Sequence, residues 1–298
     1  MTHSSTNNIN LTNSTCKVIT IPVRKGGTAK TTTAISLACS LAKFKSIDGS
    51  PLKILVIDTD SQHSLTQALG IRNSNELPYT LTNTMLNIIN QTDFDPHQGI
   101  ISHQENIDLL PSNSSLANLE LSLVSVIGRE TILKQYIEKL KPYYDYIIID
   151  TSPSANLLSL NALACADTVL IPVTPKYLEL MGVKEVLHDI SRIIGSGINP
   201  NLKIEGLLLT MANLRTKIAQ EVMASLNYTY GSSIKIFDQH IPISIKVVEA
   251  SRKGISILKH SPKSKVALAY ENLAYQIARS NPHVSLDTPV NHQEVAHG

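Results

Sequence analysis

The chain has 298 residues, 42% hydrophobic and 17% charged, enough apolar side chain for a sizeable buried core; this excludes wholesale disorder and a collagen-like chain. With three Phe, ten Tyr and no Trp the core must be aliphatic, and gripping single-stranded nucleic acid on aromatic platforms is disfavoured. A net charge of +2 is too small to predict a nucleic-acid partner, so any such argument must rest on where the charges lie.

The first fifteen residues are rich in Ser, Thr and Asn, carry no apolar periodicity and read as a flexible tail (1–15). They lack the basic start and apolar stretch of a secretory signal, and no run of 18 apolar residues occurs anywhere, so a soluble protein with no membrane partner is expected. Cys16, Cys39 and Cys165 are far apart and form no CxxC, which fits a reducing cytoplasm. From Lys17 the pattern changes: KVITIPV is a β-branched run, RKGGTAKT a Gly-containing basic turn, and TTAISLACSLAKF has helical spacing. Compact apolar runs return as LKILVID (52–58), IDLLPS (107–112), YDYIIID (144–150), DTVLIPV (167–173) and KIEGLLLTM (203–211), with helices expected between most of them. Runs of this kind suit strands covered on both faces, so the expected fold is α/β, a doubly wound, mainly parallel sheet with helices on both faces. With no internal repeat or linker, a single domain over 16–280 is expected, followed by a second flexible tail (281–298).

The segment Lys25–Thr32, KGGTAKTT, stands between an apolar strand and a helix start, where a phosphate-binding loop must stand. Backbone N–H groups there converge on phosphate oxygens, the helix dipole favours the anion, Lys30 can neutralise charge and Thr31 Oγ1 can ligate Mg²⁺. Downstream, Asp58 and Asp60 close an apolar strand at the edge where parallel sheets bind ligands, although either alone could cap a helix or a turn.

The loop resembles the deviant Walker A motif, KGGxGK[ST], of the ParA/MinD ATPase superfamily. LKILVIDTDSQHSLT resembles that family's second motif through Asp58, Asp60 and Gln62, YDYIIIDTSPS resembles its Walker B strand and turn through Asp150 and Pro153, and IPISIKVVEASRKG resembles the C-terminal block of the partition branch. The likeness runs from about 16 to 278. It implies an ATPase with ATP and Mg²⁺ as cofactors: Gly26, Gly27, Thr28, Ala29, Lys30, Thr31 and Thr32 around the phosphates, Asp60 orienting the attacking water, and Thr31, Asp58 and Asp150 at the metal. It also implies that Lys25 reaches the nucleotide of a second subunit, so that hydrolysis is coupled to an ATP-bound homodimer, and that Met211 and Pro242 pack the adenine; as apolar residues these two could equally be core. Two departures stand out. Ala29 replaces the motif's third glycine, the one just before the loop lysine, at a cost on the order of 1 kcal/mol if the backbone there is left-handed, and Arg24 replaces a common glutamine.

Between Lys246 and Lys265 six basic residues face one acid, Glu249. Such an excess can hold DNA backbone without reading sequence, although a charge run by itself is as often a solvated face. The resemblance points to Arg215 and Lys246, then Arg252 and Lys253, as contacts to nonspecific DNA. It further implies a ParB-like centromere-binding partner that stimulates hydrolysis, a nucleoid-associated cytoplasmic location, and plasmid or chromosome partition. The short N-terminal tail is not expected to hold a sequence-specific DNA-binding domain. Positioning of a protein cargo is an alternative. A MinD-like membrane cycle is another, disfavoured because 283–298 carries no Lys or Arg. A metallocluster ATPase would need a cysteine pair that Cys165 lacks. His63 reads as a polar turn residue and Cys39 as core.

Overall fold

The computed structural model describes residues 16–176 and 179–286. Its first half runs β1 (Lys17–Ile21), α1 (Lys30–Leu41), β2 (Lys45–Ser46), β3 (Ile54–Asp58), α2 (Ser64–Ala68), α3 (Leu81–Ile89), β4 (Ile101–His103), β5 (Ile107–Leu110), α4 (Ser115–Leu123) and α5 (Ile132–Leu140). Then follow β6 (Tyr146–Asp150), α6 (Leu157–Cys165), β7 (Thr168–Val173), α7 (Glu179–Gly195), β8 (Lys203–Leu209), α8 (Lys217–Tyr230), α9 (Ile245–Arg252), α10 (Ile257–His260), α11 (Lys265–Ala278) and β9 (Val284–Ser285).

Seven strands form one sheet in the order β4-β5-β3-β6-β1-β7-β8, parallel throughout except for the antiparallel β4–β5 pair. The doubly wound, mainly parallel α/β fold expected from the sequence is the fold observed. Its strands read as unbroken apolar runs because both faces are covered. Alternate residues serve opposite layers: Ile19, Ile21, Ile54, Val56, Tyr146 and Ile148 pack toward α1 and α11. Val18, Leu55, Ile57, Ile147 and Ile149 pack on the other face toward α3, α4, α5 and α6. A third cluster joins β7 and β8 to α7 and α8 through Val169, Ile171, Leu207, Val183 and Val222. Fully burying an aliphatic side chain of this size contributes roughly 2 kcal/mol, so the many aliphatic residues carry most of the core, with Tyr136, Tyr146, Tyr270 and Phe237 its largest fully buried side chains. The buried rings that do occur tie elements together, as where the hydroxyls of Tyr270 and Thr33 meet at 3.1 Å and fix α11 on α1.

Two features depart from the expectations. The three-residue β4 pairs antiparallel at the sheet edge, and a strand that short carries no readable periodicity. The C-terminal tail was expected from 281, yet Val284 is buried and β9 pairs antiparallel with β2; two residues recruited by a distant partner strand leave no local signal. Residues 1–15 and 287–298 lie outside the described residues. No helix among the described residues is long and apolar enough to cross a membrane.

Candidate functional site

β3, β6 and β1 are neighbours in the sheet, and their parallel register pairs Asp58 with Asp150 and Asp150 with Ile21. Two carboxylates therefore end adjacent strands at the carboxyl edge, beside the point where the chain leaves β1 to begin the glycine loop. The loop closes onto α1 at Lys30. Gly27 has φ +79°, and Ala29, the N-cap of α1, sits at φ 60°, ψ 25°. The position where the sequence departs from the motif is thus one whose backbone is left-handed, and a side chain there costs on the order of 1 kcal/mol. That conformation is held from both sides: the Thr33 N–H donates to the Ala29 carbonyl at 2.8 Å, and the Thr210 hydroxyl donates to the Thr28 carbonyl at 2.9 Å, binding the loop to the end of β8.

Lys30 is 8% exposed, and its ammonium lies 2.5 Å from Asp150 Oδ1. The Thr31 hydroxyl donates to the other Asp150 oxygen at 2.8 Å. Asp150 is fully buried, and burial pushes its carboxyl up while the Lys30 ammonium pulls it down. Asp58, also fully buried, is pushed up to about 7, first by burial and then by the charge of Asp150. Its carboxylate accepts the Asp60 N–H at 3.1 Å and, on the other oxygen, the N–H and hydroxyl of Thr66 at 2.9 and 2.7 Å. Asp58 is therefore a turn-forming aspartate as well as an edge carboxylate. Asp60, one turn further, accepts the Gln62 N–H at 3.0 Å, and its carbonyl accepts the Ser112 hydroxyl at 2.8 Å.

These donors fit Mg²⁺ and a triphosphate. A divalent ion favours hard oxygen ligands, and a hydroxyl beside two buried carboxylates whose charges repel supplies them. Loop N–H groups, a helix N-terminus and Lys30 suit the phosphates. The Thr28 hydroxyl, buried in the loop without a hydrogen-bond partner, is a further polar group at this edge.

Lys25 is partly exposed at the start of the loop, and Gly26 and Gly27 are exposed beside it. Arg24 has a place that sequence reasoning did not find: its guanidinium forms an ion pair with Asp189 on α7, and the two side chains are 9% and 10% exposed. Burial lowers the pKa of Arg24, and nearby Glu185 on the same helix opposes that shift. A partner so far along the chain leaves no local pattern to read.

Met211 lies just past β8 with φ 51° and is 38% exposed. A parallel bridge pairs Ala212 with Pro242, closed by the Ala212 N–H on the Ile241 carbonyl at 3.0 Å. Met211 and Pro242 are thereby brought together close to the Thr210–Thr28 link, on the loop's side of the sheet. Arg215, Lys246, Arg252 and Lys253 are all exposed. Glu249, the lone acid of the basic block, lies 3.1 Å from His260. Sequence reasoning also missed Arg72, in the turn after α2, whose guanidinium donates to the Arg252 carbonyl at 3.1 Å.

Residues 16–204 match the family described as an AAA domain. The sporulation initiation inhibitor protein Soj of Bacillus subtilis is 34% identical over 262 residues, which span 88% of this chain and 98% of that protein. Among solved structures, cobyrinic acid a,c-diamide synthase from Mycobacterium smegmatis with a bound ATP analog and magnesium is similar at a TM-score of 0.73 and 30% identity, covering 89% of this chain and 94% of that one. A plasmid partition protein from Borrelia burgdorferi is similar at a TM-score of 0.66 and 26% identity, over 89% and 98% of the two chains.

Proposed function

The chain belongs to the Soj/ParA family of partition ATPases, and from that premise we propose that it is a cytoplasmic, nucleoid-associated switch that segregates a plasmid or chromosome. ATP binding forms a homodimer that holds nonspecific duplex DNA; hydrolysis, stimulated by a ParB-like centromere-binding protein, releases it. The loop N–H groups and Lys30 take the phosphates, and Met211 and Pro242 flank the adenine. Thr31, Asp150 and Asp58 hold Mg²⁺, which when bound offsets charge on the phosphate oxygens. Asp60 orients the attacking water. Lys25 reaches the nucleotide of the second copy and places a cation where charge develops, so turnover waits on dimerisation. The pairing of Lys30 with Asp150 keeps a buried ammonium and a buried carboxylate mutually compensated in this arrangement.

One observation carries the DNA reading. The Ala212–Pro242 bridge, which sits by the nucleotide loop, leads within three residues to Arg215 in the loop before α8 and within four to Lys246 in the first turn of α9. Nucleotide edge and cations therefore share one backbone scaffold. Exposed Ile243 and Ile245 lie in the same stretch and offer apolar area to a second copy.

Binding of a labelled random-sequence duplex tests this, measured with ATP, ADP or no nucleotide at about 50 and about 200 mM salt. The expected result is ATP-dependent binding that weakens steeply with salt and is lost in Lys30→Ala. ATP hydrolysis without DNA binding in any nucleotide state would overturn it.

A further inference from the structure

The exposed basic turn at the end of α9 does not stand free of the nucleotide edge. Gly254, at φ +69°, packs directly on Gly70, at φ +94°: a Cβ placed on Gly254 would lie 2.6 Å from Gly70 Cα and 3.0 Å from Gly70 N. Two glycines in backbone contact leave no side chain to absorb a shift, so displacement of one turn is passed to the other. Arg72 closes the contact with its bond to the Arg252 carbonyl. On the opposite side His103 Nε2 meets the Gly254 carbonyl at 3.1 Å, and Glu105 accepts the Ser256 N–H at 2.7 Å.

The Gly70 turn follows α2 directly, and α2 is tied to the nucleotide edge by Thr66, whose N–H and hydroxyl both donate to Asp58 Oδ2. Ala250 is the buried residue of α9, and a cleft of about 210 Å³ opens between α1, α2, α9 and the turn that follows it, its lining including Thr31, Ser64, Ala68, Val247, Ala250 and Ile255. A backbone contact beside an open cleft gives the basic turn room to follow a shift of the Gly70 turn.

We propose that the Gly70–Gly254 contact, closed by Arg72, is the joint through which the Asp58–Thr66 end of the nucleotide site sets the position of Arg252 and Lys253, and hence the nucleotide dependence of binding to a DNA backbone. The inference rests on the nonspecific-DNA reading above. Arg72 and Thr66 are positioning residues in it, acting through Arg252 and α2.

The test compares affinity for a random-sequence duplex with ATP and with ADP, in Mg²⁺ buffer. Thr66→Val lowers the ATP-to-ADP affinity ratio by about tenfold, and Thr66→Ser, which keeps the hydroxyl, restores it. Arg72→Ala lowers affinity with ATP more than with ADP while basal ATP hydrolysis is unchanged, and Arg72→Lys retains the ratio. Gly254→Ala displaces the basic turn and has the same effect; should it not fold, Arg72→Ala at an exposed site still decides. Equal loss with ATP and ADP in Arg72→Ala would reduce the residue to one more surface charge and overturn the joint, as would unchanged ratios in all variants. Failure of the wild type to bind DNA at all would sink the DNA reading instead. In that case amide exchange at Gly254, slowed by ATP in the wild type and not in Thr66→Val, still confirms or removes the mechanical link.

Discussion

The glycine loop and the basic α9–α10 surface lie near each other but are built on opposite principles. In the loop nearly every functional group is locked: Lys30 to Asp150, Thr31 to Asp150, Thr28 to Thr210, Arg24 to Asp189. On the basic surface Lys246, Arg252 and Lys253 are exposed, and their positions come from backbone contacts. The difference follows from dielectric. A charge in the buried edge must be compensated at hydrogen-bond distance, which fixes geometry, whereas exposed cations facing water act additively and replaceably.

If that contrast is right, substitutions in the loop fall steeply and those on the surface fall gently. The largest effect is expected for Lys30→Ala, with ATP turnover reduced at least about a hundredfold in a steady-state phosphate-release assay, since on the proposed reading it removes the cation that faces the phosphates. Arg24→Ala leaves Asp189 buried and uncompensated and should cost about 3–5 kcal/mol in urea unfolding; a much smaller loss would mean that the pair is solvated and that the loop is not anchored on α7. The double variant Arg24→Gln with Asp189→Asn should recover much of that stability.

Asp58 gives a pH test of the locked edge. Its folded-state pKa, about 7, lies above the ordinary carboxylate value of 3.8, so between these values the folded chain binds the extra proton. Its contribution to stability is fully present below about pH 4 and is lost as pH rises through about 7. Without nucleotide or metal, Asp58→Asn should therefore flatten the fall in melting temperature between about pH 5 and about pH 8, and a curve unchanged by the substitution would refute the burial argument. On the surface, Arg215→Ala and Lys246→Ala should each weaken DNA binding by about tenfold or less and reduce the salt slope by about one, with melting temperature unchanged. The smallest effect is expected for Ala29→Gly, a gain of at most about 1 kcal/mol in unfolding free energy, because relief of the left-handed alanine is offset by a more flexible unfolded chain.

Much of the sheet was legible because it is covered on both faces. KVITI, ILVID and YIIID announce themselves as apolar runs, and each ends where parallel strands end, at the ligand edge. The loop's place between β1 and α1 was legible because its glycines, lysine and threonines stand consecutively. Where meaning depends on a partner far away in the chain, the sequence was silent. Nothing local marks Arg24 as the mate of Asp189, Arg72 as a neighbour of Arg252, or Val284–Ser285 as a strand. Ala29 is an intermediate case: the departure from the motif could be read directly, while the left-handed backbone that gives it a cost had to be seen.

The sequence by itself thus determined the strands and the place of the glycine loop between β1 and α1, since both are written at short range, in side-chain alternation and in consecutive residues. Tertiary structure alone decided how Asp58 divides its two oxygens, which helix restrains the loop through Arg24, and that the turn carrying Arg252 rests on the turn following α2. Those are contacts between segments whose proximity comes from sheet order and close packing, and neither is encoded in any window of neighbouring residues.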